Sequence, residues 1–254
     1  MSDLFHVGIS GARGRMGRAV SQVLDARDDV VVATRFDRGE TPVLDHCDVI
    51  IDFSTPEASV ELAKACAAKA NEDRPGPALV VGSTGFTPEQ EAQLEALSAK
   101  IAIVKSGNFS LGVNMLIGLV TNAAQRLNAK DWDIEVTEAH HRRKVDSPSG
   151  TALMLGEAAA DGRHVDLAAV RSAPYDGVQG AREEGKIGFS VIRGGGIIGE
   201  HSVMFASDDE VLTLSHSAID RALFAKGAVA ASAWVRNRRP GLYDMQDVLG
   251  FRQA

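Results

Sequence analysis

The sequence predicts an α/β protein in which a doubly wound parallel sheet is joined to a smaller mixed α+β unit. Short apolar strands alternate with helical stretches over residues 4–104, which is typical of a parallel sheet covered on both faces. The alternation stops after Asn108, where a long helix is followed by several strand-like runs. A helical stretch returns at 218–235.

Local signals support the individual elements of the first half. Thr55-Pro56-Glu57 combines a cap residue, a proline and an acid, which indicates a helix start. Thr87 and Gln90 have the spacing of a capping box. The predicted strands are 4–10, 30–33, 49–53, 78–81 and 101–104, and the predicted helices are 14–26, 55–70 and one that begins at 87.

The second half is predicted to be a mixed or antiparallel sheet with helices. A glycine-rich charged stretch, 171–185, is interpreted as a mobile excursion between strands. The predicted helix ends near Leu127, and the predicted strands are 132–137, 186–193, 201–205 and 211–215.

Composition excludes several classes of protein. The chain has 254 residues, 44% of them hydrophobic, and a net charge of −7, so no nucleic-acid footprint is expected. Residues 106–125 carry no charge, but their amides and glycines favour a buried helix over a membrane span. Cys47 and Cys66, without a signal peptide, are interpreted as reduced thiols of a cytoplasmic protein.

A glycine turn separates the first strand from the first helix. Gly11, Gly14 and Gly17 would let the backbone approach a pyrophosphate at a helix N-terminus. Ala12 replaces the first glycine of the usual G-x-G-x-x-G pattern. The turn could instead only pack helix on strand, but its position favours a Rossmann-like dinucleotide site.

Asp37 and Arg38 lie at the end of the second predicted strand. An acid at this distance from the glycine turn binds the ribose of a dinucleotide, whereas an arginine can bind a 2′-phosphate. The pair leaves both NADH and NADPH open as the cofactor.

Two further loops follow consecutive predicted strands, at Gly82–Gly85 and Ser106–Phe109. Such loops gather at the carboxyl edge of a doubly wound sheet, where ligands bind. Ordinary turns are an equally good interpretation of each loop.

The fifteen residues from Glu138 to Ala152 contain the strongest chemical signal. Two histidines precede three cations and then a helix start at Ser149-Gly150-Thr151. This combination suits proton exchange with an anionic substrate. The helix start could cap the helix or bind a carboxylate, and Arg142 and Arg143 are better explained as a solvated charge run.

Other chemistries lack their motifs. No H-E-x-x-H accompanies the histidines, and the cysteines lie far upstream, so no metal site is expected. No G-x-S-x-G elbow is present. Neither Tyr175 nor Tyr243 has the lysine four residues later that short-chain dehydrogenases require.

Together these motifs closely resemble the dihydrodipicolinate reductase family, the 4-hydroxy-tetrahydrodipicolinate reductases of bacterial lysine biosynthesis. The resemblance covers nearly the whole chain. It rests on the segments 11–17, 51–54, 82–86, 108–114, 138–152 and 199–201.

The resemblance implies a role for each matching residue. His140 would be the proton donor and acceptor and Lys144 a second proton donor. His141 would contact the substrate, and Gly150 and Thr151 would hold a substrate carboxylate. The cofactor, NADH or NADPH, would meet Gly11, Ala12, Arg13, Gly14, Arg15, Met16, Asp37, Arg38, Gly82, Ser83, Thr84, Ser106, Gly107, Asn108 and Phe109.

The resemblance also implies the reaction and the assembly. A cyclic imine dicarboxylate, 4-hydroxy-tetrahydrodipicolinate, would be reduced to tetrahydrodipicolinate with loss of water. We expect residues 1–109 and 219–254 to form the dinucleotide-binding domain and 110–218 the substrate-binding and oligomerisation domain. The sheet of the latter would build a homotetramer.

The chain departs from the family pattern at three places, and the third leaves cofactor preference open. Ser147 replaces an alanine, Arg13 replaces a smaller residue, and the stretch between Arg38 and Asp48 is short. Two alternatives remain, namely a related dehydrogenase acting on a linear amino-acid precursor and a nucleotide sensor without chemistry. A sensor would not need the histidine–lysine cluster.

Overall fold

A computed structural model of the protein describes residues 4–71 and 75–252. The chain divides into two compact units. The first unit comprises Met1–Leu111 and Ala222–Ala254, and the second comprises Gly112–Arg221. Each unit has its own sheet and its own hydrophobic core.

The first unit contains a six-stranded parallel sheet in the order β10-β5-β4-β3-β1-β2. The order reverses beside β1, because β2 lies on one side of it and β3 on the other. In open α/β sheets, ligands bind beyond the carboxyl ends of the strands at such a reversal. The strands are β1 Phe5–Ser10, β2 Val30–Phe36, β3 Val49–Asp52, β4 Ala78–Val81, β5 Ala102–Lys105 and β10 Gly241–Tyr243.

Both faces of this sheet are covered by helices. Val49 and Ile51 pack in a cluster with residues of α1 and α7, whereas the intervening Ile50 packs with residues of α2 and α3. The predicted Rossmann-like doubly wound sheet is therefore confirmed. The helices are α1 Arg15–Asp25, α2 Pro56–Ala68, α3 Pro88–Ser98, α7 Ala222–Val235 and α8 Met245–Val248.

The second unit contains a mixed four-stranded sheet in the order β7-β6-β8-β9. β6 pairs with β7 in parallel and with β8 antiparallel, so the predicted mixed sheet is also confirmed. Leu116 of α4, Leu155 of α5 and Phe205 of β8 share its core. The elements are α4 Leu111–Arg126, β6 Asp133–His140, α5 Gly150–Gly162, α6 Leu167–Val170, β7 Ile187–Arg193, β8 Glu200–Ala206 and β9 Val211–Ser217.

One predicted boundary is wrong in a way that affects the site. The strand predicted to end at Thr137 continues to His140, because β8 pairs with it as far as Ala139 and β7 as far as His140. His140 is therefore a strand residue and not part of a loop. The short elements β10, α6 and α8 were also missed, since three or four residues carry little periodic signal.

The stretch 171–185 has no helix or regular strand, but Arg182 attaches it to the sheet. Its guanidinium donates to the carbonyls of Ile134 and Lys186 and pairs with Asp133 and Glu135. The prediction that this stretch is a mobile excursion did not include the attachment of Arg182 to β6.

Residues 106–125 contain most of α4 and not a membrane span. Within the part of the chain that the structure describes, no helix is long and apolar enough to cross a membrane. Cys47 and Cys66 are buried free thiols.

Candidate active site and cofactor-binding turn

The alternation of β6 brings two polar residues onto its buried face. Ile134 and Val136 point into the core of the second unit, and Glu138 and His140 follow in the same two-residue register. Glu138 is 1% exposed and His140 is 8% exposed. Burying a carboxylate is costly unless it is paired and hydrogen-bonded, so its neighbours decide what it does.

The neighbouring strands supply a histidine and an arginine. His201 on β8 lies directly opposite Glu138, and Arg193 on β7 lies opposite His140. His140 and His201 have ring centroids 5.1 Å apart in an edge-to-face arrangement. Sheet pairing therefore gathers four polar side chains that are up to 63 positions apart, from Glu138 to His201.

Glu138 is the centre of this cluster. Its Oε2 lies 2.6 Å from His140 Nδ1, and its Oε1 accepts from the backbone N–H of Ser149 at 2.9 Å. Arg193 donates to both carboxylate oxygens, at 2.7 Å each. Burial alone would raise the pKa of Glu138, but the hydrogen bonds from Arg193, His140 and Ser149 lower it to about 2. Glu138 is therefore ionised at neutral pH.

The second nitrogen of His140 faces a position without a side chain. A Cβ built on Gly199 would lie 3.1 Å from His140 Nε2 and 3.7 Å from His201 Cε1. Because residue 199 is a glycine, space remains beside Nε2, the nitrogen of His140 that does not contact Glu138.

His201 is a neutral histidine. Burial and the nearby His140 lower the pKa of His201 to about 4. Its Nε2 lies 3.1 Å from Ser149 Oγ, which also accepts from the N–H of Ala152 at 3.1 Å.

The start of α5 lies in the same cluster. Ser149 is its N-cap, and Gly150 and Thr151 are its first residues. The backbone of Ser149 donates to Glu138, so the carboxylate that contacts His140 also positions the helix start. A helix N-terminus carries partial positive charge and favours a carboxylate.

His141 and Lys144 lie just beyond the strand. Desolvation and the charges of Arg143 and Arg221 lower the pKa of His141. Arg221 Nη2 lies 3.5 Å from His141 Nε2. Lys144 Nζ forms an ion pair with Asp146 Oδ1 at 2.9 Å, and the backbone N–H of Lys144 donates to His141 O. The guanidinium groups of Arg143 and Arg221 bring positive charge to this edge of the second unit.

The structure separates the two histidines that the sequence analysis treated as a pair. His140 contacts a carboxylate, while the charges of Arg143 and Arg221 act on His141. Arg142 and Arg143 are exposed, in agreement with a solvated charge run.

Sequence reasoning assigned no role to Glu138, Arg193, His201 or Arg221. A signal for Glu138 was present, because a charged residue occupied the apolar register of a strand. His201 likewise shares the buried register of Val203 and Phe205. Nothing local marks Arg193 or Arg221, since their partners are distant in sequence.

The glycine turn in the first unit has the geometry of a dinucleotide loop. Gly11 has φ of +71°, and a Cβ there would lie 2.7 Å from Phe53 O. A Cβ on Gly17 would collide with the backbone of Gly11 and Ala12. These glycines allow close packing of α1, as the fingerprint requires.

The N-terminus of α1 has no capping side chain. Its N-cap is Gly14, and no acid occupies its first turn, which begins at Arg15 and Met16. By contrast, α2, α3 and α5 are capped by Thr55, Thr87 and Ser149. This helix start is suited to the phosphates of a dinucleotide.

Asp37 contacts the glycine turn. Its Oδ2 accepts from the backbone N–H of Arg13 at 3.0 Å, and Glu40 Oε2 accepts from the N–H of Asp37 at 2.9 Å. Arg13 Nη2 forms an ion pair with Glu40 Oε1 at 2.5 Å. Arg38 is exposed next to them.

The other two predicted cofactor loops also follow parallel strands. A Cβ on Gly82 would collide with the ring of Phe53, and Ser83 Oγ accepts from Ser59 Oγ at 3.0 Å. Phe109 is 2% exposed and packs edge-to-face on Phe53, so its side chain belongs to the core. Thr84 and Gly107 are exposed, and Ser106 and Asn108 are hydrogen-bonded to each other.

No group of three or more histidine, cysteine or carboxylate side chains that could hold a metal occurs in residues 4–71 and 75–252.

Family models match nearly the whole chain. The model for the N-terminal part of dihydrodipicolinate reductase matches residues 5–109, and the model for its C-terminal part matches residues 112–249. The 4-hydroxy-tetrahydrodipicolinate reductase of Caulobacter vibrioides is 61% identical over an alignment of 262 residues that covers all of both chains. The enzyme of that name from Roseobacter denitrificans is 44% identical, again over all of both chains.

Solved structures share the fold. Dihydrodipicolinate reductase from Paenisporosarcina sp. TG-14, with dipicolinate bound, has a TM-score of 0.77 at 22% identity, covering 96% of this chain and 98% of its own. The DAP dehydrogenase of C. glutamicum has a TM-score of 0.56 at 15% identity, covering 100% and 97%. The family models and the full-length relatives confirm the resemblance found in the motifs: the chain belongs to the dihydrodipicolinate reductase family.

Proposed function

We propose that this protein is an NAD(P)H-dependent oxidoreductase that converts 4-hydroxy-tetrahydrodipicolinate to tetrahydrodipicolinate with loss of water, in the diaminopimelate route of lysine biosynthesis. The observation that carries the proposal is the buried contact between Glu138 and His140 beside the start of α5, in a chain of this family. It supplies a proton-transfer group and an anion-binding helix start from one cluster.

The glycine turn would hold the cofactor in the first unit. The open N-terminus of α1 suits the pyrophosphate, with the backbone of residues 11–16 around it. Asp37 would accept from the adenosine ribose, and Arg38 would meet a 2′-phosphate when one is present. The backbones of residues 82–84 and 106–109 would complete the site. The bound nicotinamide supplies a hydride.

The second unit would hold the substrate through its carboxylates. Gly150 and Thr151 lie at the start of α5, where the helix dipole favours an anion. His141 would contact the same ligand beside Arg221. A dicarboxylate fits this positive edge, and a structural relative has dipicolinate bound.

His140 would exchange the proton, with Lys144 as a second donor. The Nδ1 side of His140 faces Glu138, so Nε2 is the nitrogen turned to the space beside Gly199. Lys144 is paired with Asp146, and it would have to exchange that partner for the substrate in order to act. One proton and one hydride are added, and the substrate hydroxyl leaves as water.

The activity test follows the loss of NADH or NADPH absorbance, in separate reactions, with the substrate generated in situ by its synthase. Oxidation that depends on the substrate is expected with at least one cofactor. If neither cofactor is oxidised while thermal shift still detects cofactor binding, the reductase assignment is wrong. The ratio of the two rates measures the cofactor preference.

The proposal includes a homotetramer in the cytoplasm. The outer strands β7 and β9 of the second unit carry exposed apolar side chains, which indicates an interface. They are Val191, Ile192, Val211 and Leu212. Light scattering on the purified protein should give four times the mass of one chain; the mass of a single chain would contradict the assembly.

We also propose domain roles that follow the two units. The glycine turn supports cofactor binding by the first unit, and the cluster around Glu138 supports substrate binding by the second.

A further inference from the structure

We propose that Glu138 and Arg193 form a positioning pair that keeps the Nδ1 proton of His140 in place, so that Nε2 is the nitrogen that exchanges protons with the substrate. The tautomer follows from the geometry of the second unit. The consequence for turnover rests on the proposed function, in which His140 is the proton donor and acceptor.

Glu138 accepts four hydrogen bonds, two on each oxygen. Oε2 accepts from His140 Nδ1 and Arg193 Nη1, and Oε1 accepts from Ser149 N and Arg193 Nη2. An ionised carboxylate can only accept, so the proton between it and the imidazole belongs to Nδ1. This assigns the lone pair of a neutral His140 to Nε2.

Arg193 prevents Glu138 from becoming the base in place of His140. The guanidinium engages both oxygens and also donates to Asp146 O at 2.7 Å, which fixes the fork in place. A carboxylate with this partner has little affinity for a proton. The imidazole therefore keeps its Nδ1 proton, while the charges of Glu138 and Arg193 balance each other.

Other charged groups near His140 act through different elements. His201 on β8 faces its ring and is neutral. His141 follows it in sequence, and Lys144 interacts electrostatically with His201. Within the part of the chain that the structure describes, the hydrogen bond at His140 Nδ1 goes to Glu138 and not to these residues, so the tautomer depends on Glu138.

The substitution Glu138→Gln tests the pair with almost no change in shape. An amide has one oxygen and one NH₂ group where the carboxylate had two acceptors. The NH₂ group must face either His140 Nδ1, which reverses the tautomer, or the N–H of Ser149, which disturbs the start of α5. Because the imidazole can move its proton to Nε2 and the backbone N–H of Ser149 cannot be reversed, we expect the first orientation.

The first readout is the tautomer itself. In protein labelled with ¹⁵N at histidine, the His140 signals are assigned by their loss in His140→Gln and recorded at a pH where the imidazole is neutral. We expect the Nδ1-protonated form in the unchanged protein, and the other tautomer or a mixture in Glu138→Gln. This measurement needs neither substrate nor activity.

The second readout is the pH–rate profile. Glu138→Gln removes the negative charge that stabilises an imidazolium, so kcat should fall between about tenfold and hundredfold and the alkaline limb should move to lower pH. Arg193→Gln leaves the carboxylate in place without its counter-charge. It should keep the Nδ1-protonated tautomer and move the alkaline limb to higher pH.

Glu135→Gln is the matched control. Glu135 lies on the same strand and also pairs with an arginine, Arg182, but it has no histidine partner. It should leave the His140 tautomer and the pH–rate profile unchanged, even if it lowers thermal stability.

Three outcomes would overturn the inference. These are an unchanged tautomer in Glu138→Gln, a protonated Nε2 in the neutral unchanged protein, or profile shifts of the same sign in both variants. If Glu138→Gln does not fold, the tautomer of the unchanged protein and the shift in Arg193→Gln still decide it. An unchanged protein that shows the Nδ1-protonated form but oxidises no cofactor would contradict the proposed function alone.

Discussion

Arg13 Nη2 forms an ion pair with Glu40 Oε1 at 2.5 Å, next to Asp37, which is the residue expected to bind ribose. Both partners also contact Asp37, since the backbone N–H of Arg13 donates to it and Glu40 accepts from its N–H. Two carboxylates and one guanidinium therefore meet where the sequence predicts the adenosine end of a dinucleotide. The net charge of these three groups influences how strongly this end of the site attracts or repels a 2′-phosphate.

Neutralising Glu40 should favour NADPH. Glu40→Gln removes a negative charge from this group and releases Arg13 from its ion pair, so a 2′-phosphate gains a cation and loses a repulsion. We expect the Kd for NADPH to fall by a factor of roughly two to five, because water screens an exposed charge, with little change for NADH. Fluorescence titration of both cofactors measures the difference.

Glu61→Gln is the control for this substitution, because Glu61 pairs with Lys64 on the exposed surface of α2. Equal changes in the affinities for NADPH and NADH in Glu40→Gln would show that Glu40 does not influence the 2′ position.

Removing Arg38 should have the opposite effect. Arg38 is an exposed cation beside Asp37, and Arg38→Ala removes the group expected to meet the 2′-phosphate. The affinity for NADPH should fall several-fold, on the order of 1 kcal/mol, while NADH binds as before. Arg35→Ala serves as control, since Arg35 lies on β2 and pairs with Asp25 at the end of α1. A loss shared equally by both cofactors would mean that Arg38 does not recognise the phosphate.

Replacing His140, the proposed proton donor and acceptor, should separate chemistry from cofactor binding. His140→Gln should lower kcat by about 10² to 10⁴ and leave the Kd for NADH and NADPH nearly intact, because the glycine turn belongs to the other unit. Stopped-flow turnover and cofactor titration on the same preparation test both parts. His164→Asn, at an exposed position with φ of 56° that asparagine tolerates, is the control. Undiminished turnover would remove His140 from the mechanism.

Acid should destabilise the second unit through His201. The pKa of His201 is about 4 in the folded protein, below the ordinary value near 6.5 for an unfolded chain. The unfolded state binds more protons between these values, so the free energy of unfolding decreases as pH falls from about 6.5 to about 4. The difference corresponds to roughly 3 kcal/mol.

Glu138 adds to this effect at lower pH. Its folded pKa of about 2 lies below the ordinary glutamate value, so its stabilisation is lost as pH falls through that range. Urea unfolding at a series of pH values tests the sign. His201→Gln, which does not titrate, should flatten the dependence between pH 6.5 and 4, whereas His164→Asn should not. A dependence as steep as in the unchanged protein would assign the acid sensitivity to other groups.

The sequence by itself determined the architecture and the chemical class. Alternating strands and helices predicted the doubly wound sheet, because burial on both faces requires continuous apolar strands. The glycine turn predicted a cofactor site at the start of α1, because the backbone there packs so closely that side chains at these glycines would collide with it. The motif at 138–152 is local, and so its histidines, lysine and helix start could be found without a structure.

The tertiary structure decided how these residues are connected. Sheet register placed Arg193 and His201 beside Glu138 and His140, and no local pattern encodes a pairing between residues so far apart in sequence. It also separated His140 from the adjacent cations, since continuation of β6 turns His140 toward a buried carboxylate. Local spacing identifies which residues can exchange protons, whereas the strand pairing sets which nitrogen is available to do so.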